Sequence, residues 1–111
     1  GRAVADRTEA LANQTVLRER KSEVESQIQA DVRKQLVELA TSRAALSPAR
    51  LALASAQETR RVVSDRFEAG VATTLDLLDA ELAEMQAELD RTRVLADIRL
   101  NDARLTRVLG R

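Results

Sequence analysis

The chain has 111 residues, enough for one domain, and carries 18 basic and 18 acidic residues, no cysteine, no histidine and a single aromatic, Phe67. Neutral balance gives no electrostatic reason to expect nucleic acid or an anionic membrane surface as partner. The missing residue types exclude disulfides and thiolate chemistry, along with the commonest general base and metal ligand.

Alanine and leucine supply about a third of the residues and charged residues 32%. That is the profile of long helices and coiled coils rather than of a compact core, whose buried area aromatics usually dominate. The cations are mostly arginine and are scattered among acids, as on solvated, salt-bridged helix faces. No apolar run is long enough to span a bilayer as a helix. No signal peptide is visible, and the start "GRAVADRTEA" already has helical pattern, which reads as an excised segment.

From Ala3 to Ser47 nothing breaks a helix. Val24, Ile28, Val32 and Leu36 recur every four residues, one helical stripe, and strand alternation is absent. Pro48 is the first interruption. It fits a new helix with Ser47 as N-cap, and it fits a kinked continuous helix equally well. Patterning resumes at once, which favours one long helix over about 3–68 with a bend at 47–48. Leu39, Leu46, Leu53 and Phe67 stand at multiples of seven, with Arg60 interrupting; Val37, Ala44 and Leu51 form a second row.

The turn is predicted over 69–73. Gly70 suits the left-handed position after a helix end, since it lacks a Cβ. Thr73 suits an N-cap, with Asp76 three residues later as a capping-box acid, and Asp76 and Asp79 both lie where the helix dipole favours negative charge. A second helix follows over about 74–109. Leu75, Leu82, Leu89, Ala96 and Ala103 form an unbroken heptad row, and Ala80, Ala87 and Val94 another.

The fold class is therefore all-α, a long antiparallel hairpin with unequal arms of roughly 100 Å and 54 Å at 1.5 Å per residue. A two-helix coiled coil needs one seam per helix; two rows imply neighbours on both sides, as in a bundle or a helical-barrel wall. Folding back from Gly70 places residue 110 opposite about residue 30. Val4, Leu11, Val16, Leu17, Val24 and Ile28 therefore need cover from outside this hairpin, and the isolated segment is expected to self-associate.

Paired carboxylates can do acid–base work, but here they stand beside a turn with no histidine, cysteine or aromatic pocket. A di-metal carboxylate bundle needs Glu-x-x-His pairs. No catalytic, cofactor or metal site is predicted.

The stretch "RFEAGVATTLDLLDAELAEMQAELDRTRVLADIRLNDARLTRVLG" closely resembles the C-terminal half of the outer membrane efflux protein family, the TolC-like outer-membrane factors. The carriers are Phe67, Gly70, the small-residue turn Val71 to Thr74, "LDLLDA" at 75–80 and the closing Leu105 to Gly110. The first residues, "GRAVADRTEALANQ", look like the family's region just after a membrane strand. The resemblance implies a homotrimeric duct through the Gram-negative outer membrane, with this hairpin in the periplasmic α-barrel. It implies a turn at the periplasmic tip, where Ala69, Gly70 and Val71 meet a periplasmic adaptor protein and, through it, an inner-membrane pump. By the same resemblance Phe67 and Ala72 pack at the tip, while Asp76 and Asp79 line the constricted mouth. Some members carry a basic or polar residue at the position of Ala72 that locks the mouth across protomers, which alanine cannot do. The competing readings are a structural coiled-coil module and the α-hairpin of an adaptor itself. The tip motif favours the outer-membrane factor.

Overall fold

Only Pro48 between Arg2 and Glu68 resists helical geometry. Proline has no N–H to donate, and its ring collides with the carbonyl four residues back, here Ala44. The computed structural model, which describes residues 1–111, ends α1 (Arg2–Ala44) at that carbonyl and begins α2 (Leu46–Glu68) after one intervening residue. Ala45 keeps right-handed dihedrals (φ −75°, ψ −14°). Its N–H is shared between the carbonyls of Thr41 and Ser42, both at 3.2 Å. The long arm is thus bent, not broken. The helix-start alternative at Ser47 is not realised: the position before α2 belongs to Ala45, and no side chain caps it.

The second arm is α3 (Thr74–Val108), antiparallel to the first and packed on both α1 and α2. There are no strands. The molecule measures 102 × 19 × 17 Å with a radius of gyration of 28.1 Å. A globule of 100 residues would have a radius near 13 Å, so almost none of this chain can lie inside. Only Leu39, Ala49, Leu53 and Ala80 are buried.

The seam between the arms follows the heptad. On the long arm the covered positions run Val32, Gln35, Leu39, Ser42, Leu46, Ala49, Leu53, Ala56, Arg60 and Val63. On α3 they run Leu77, Ala80, Glu84, Ala87, Arg91, Val94, Ile98, Asn101, Leu105 and Val108. Alternating steps of three and four keep these residues on one face, as a two-helix seam requires. Several are polar. Arg60 Nε reaches Glu84 Oε2 at 2.6 Å, and Asn101 donates to the Glu38 carbonyl at 3.4 Å. Gln35 Oε1 and Arg91 Nε are covered without a partner.

The other predicted rows face outward. Leu75, Leu82, Leu89, Ala96 and Ala103 are exposed, as are Val37, Ala44 and Leu51. Leu78 and Met85 widen the α3 stripe. Residues 1–30 are exposed throughout, including all six large apolar residues predicted to need outside cover.

Candidate functional site

The hairpin tip is built from two backbone devices back to back. The first stops α2. Val71 N–H donates to the Arg66 carbonyl at 2.9 Å and Gly70 N–H to the Phe67 carbonyl at 3.0 Å. This 6→1 and 5→2 pair is the Schellman motif, and it requires a left-handed residue at its centre. Gly70 supplies it at φ +79°. A Cβ there would meet nothing within 4 Å, so the requirement comes from the backbone alone.

The second device starts α3. Thr73 is extended (φ −88°, ψ 163°), and its Oγ1 accepts from Asp76 N–H at 3.1 Å. Asp76 Oδ2 accepts in return from Thr73 N–H at 2.9 Å. Two N–H groups that the helix cannot satisfy are thereby paired. The hydrogen bonds from the Thr73 backbone and then its side chain hold the Asp76 carboxyl below its ordinary range. Hydrogen bonds to the charged form act in that direction.

The predicted tip residues divide into two sets. Ala69, Gly70 and Val71 form the crest and are exposed, Val71 to 74%. Phe67 ends the seam row of Leu39, Leu46 and Leu53 yet remains 38% exposed, since α3 starts beyond it and leaves its outer edge uncovered. Val71, Ala72, Asp76 and Asp79 come together along one side, where they line an open groove of about 520 Å³. Ala72 is half-buried there; both carboxylates are exposed.

The groove has members the sequence reading missed. Thr59, Val63 and Arg66 form its α2 wall, and Ala80 and Ala83 continue its α3 wall. Arg66 shares the groove with the two aspartates and makes no ion pair with either. The available signal was periodicity: 59, 63 and 66 stand at i, i+4 and i+7, one helix face. No cluster of three or more potential metal-ligating side chains exists, and no helix is long and apolar enough to cross a membrane.

A crest of small residues, an adjacent groove with one cation and two carboxylates, and outward apolar rows along both arms can bind and pack. They hold no nucleophile–base pair for covalent chemistry. A family model described as outer membrane efflux protein matches residues 1–111. No curated protein and no solved structure matches the chain.

Proposed function

Since the chain belongs to the outer membrane efflux protein family, a family of transport channels and not of enzymes, we propose that it is a periplasmic tunnel segment of a trimeric outer-membrane efflux or secretion channel. In this reading the hairpin is one stave of a helical barrel. The observation that carries it is the second apolar row on each arm. A stave needs a neighbour on both edges, whereas a self-sufficient coiled coil hides all its apolar rows in one seam. Here the leucine row of α3 and the Val37, Ala44 and Leu51 row of the long arm face away from the seam. The first is wide and the second narrower, with Ala44 between Val37 and Leu51, which suits packing of one hairpin's α3 against the next hairpin's long arm.

The crest of Ala69, Gly70 and Val71 then docks a periplasmic adaptor, which couples the duct to an inner-membrane pump. Asp76 and Asp79 line the mouth. A ring of carboxylates repeated around a constriction selects and holds cations. The Asp76 pKa is held low by its capping bonds, which keeps that carboxylate charged in the periplasm. Because Ala72 cannot pair across protomers, closure rests on helix packing and on neighbouring polar groups such as Arg66.

The test is single-channel conductance of the full-length protein in planar bilayers. Asp76→Ala with Asp79→Ala is expected to weaken block by multivalent cations and to shift conductance. Unchanged block and conductance would remove the aspartates from the mouth. Cross-linking from Val71→Cys to the adaptor tests docking separately.

A further inference from the structure

The bend divides the hairpin into halves of unequal cohesion. Towards the tip, Ala49, Leu53 and Ala80 are buried and Arg60 meets Glu84 across the seam. On the other side only Leu39 is buried and the one cross-arm hydrogen bond is the 3.4 Å contact from Asn101. At the level of the bend a hollow of about 380 Å³ opens between α1 and α3, lined by Glu38, Thr41, Ser42, Asp97 and Asn101 among others. The backbone ladder lacks a rung at the same place. The Ala44 carbonyl faces a proline without a donor, the Ala45 N–H is shared at 3.2 Å, and Ala49 N–H reaches Ala45 at 3.3 Å. Helix bending concentrates where the ladder lacks a rung and where side chains do not oppose it.

We propose that residues 44–49 are a hinge. The base of the long arm swings about Ala45 and parts from α3 along 35–42, where Gln35 and Ser42 flank Leu39 in the seam, while the tip half stays zipped. The device moves the base without disturbing the turn, so the tip keeps its shape while the tunnel wall flexes behind it.

Spin-label distance distributions in the intact protein test this. The pair Arg33→Cys and Gln57→Cys spans the bend; Glu9→Cys and Arg33→Cys has the same sequence separation within α1. Across the arms, Arg33→Cys with Arg104→Cys reports the base, and Gln57→Cys with Glu88→Cys the tip half. The bend-spanning and base pairs are expected to give broader distributions than their two counterparts. Pro48→Ala, which restores a donor with a good helix former, is expected to narrow both. A bend-spanning distribution as narrow as its control, or widths unchanged by Pro48→Ala, would overturn the hinge.

Discussion

Gly70 and Thr73 do opposite jobs three residues apart, and each can be tested alone. Gly70 stands at φ +79° with open space around its missing Cβ. Gly70→Ala therefore adds only the left-handed backbone cost, about 1 kcal/mol, read as a lower thermal midpoint with an unchanged helix signal in circular dichroism. Gly70→Asn should recover part of the loss, because asparagine tolerates that region. Thr73→Ala removes the side-chain acceptor of the cap and should cost about 1 kcal/mol. It should also let the Asp76 pKa rise towards its ordinary value, seen by NMR titration of the carboxyl carbon. The sign follows from the lowered folded pKa. Stability from this box is complete above the ordinary carboxylate range and is lost as pH falls through the lowered value. A Thr73→Ala titration identical to wild type would mean that the threonine side chain has no part in holding the charge and that the backbone N–H at 73, which the variant keeps, does so alone. Both tip devices were legible in the sequence, because each is local chemistry at fixed spacing. Arg66 was not, because its place in the groove depends on which face of α2 meets α3.

That question of faces dominates at the level of the helices. The sequence carries two apolar rows on each arm, and the richer row of α3 invites assignment to the seam. The hairpin instead hides the poorer one. Its covered face on α3 includes Glu84, Arg91 and Asn101, while Leu75, Leu78, Leu82, Met85 and Leu89 stay outside, each about half or more exposed. The turn decides this. The stop at Gly70 and restart at Thr73 set the rotation of α3, and that rotation brings Leu77 and Ala80 inward. Periodicity showed both rows, Ala80, Ala87 and Val94 among them, but did not rank them, and it did not pick out the polar members Glu84, Arg91 and Asn101 of the covered face. The seam pair Arg60–Glu84 is partly exposed, at 39% and 20% of side-chain area. Solvent screening limits such a pair, so a double-mutant cycle with Arg60→Ala and Glu84→Ala should yield a coupling of about 0.5–1 kcal/mol. A coupling indistinguishable from zero would mean that the contact only fills space. The three ion-pair contacts of Arg61 and Lys21, each between residues of the same helix and well exposed, should contribute less.

For the whole molecule, the unequal arms and the all-α architecture follow from pattern, glycine and proline, and they were readable in advance. The bend's location one turn before Pro48 was less so, since proline disrupts the carbonyl behind it. With four buried residues out of 111 and a thirty-residue overhang exposed along its length, the chain alone is incompletely covered. Sedimentation velocity should therefore find concentration-dependent association of the isolated segment, with the thermal midpoint rising with concentration by mass action. A folded, strictly monomeric species across that range would count against the need for neighbours on both edges.

The outward leucine stripe also means that this hairpin carries two classes of apolar residue with separate phenotypes. Substitutions at Leu39 or Leu53 should be felt wherever the chain is studied, because both are buried within it. Substitutions at Leu75, Leu82 or Leu89 should leave the isolated hairpin folded at concentrations too low for self-association, and prove damaging in a transport selection on the whole protein. Subtracting one mutational map from the other would trace the missing neighbours residue by residue, without a structure of the assembly.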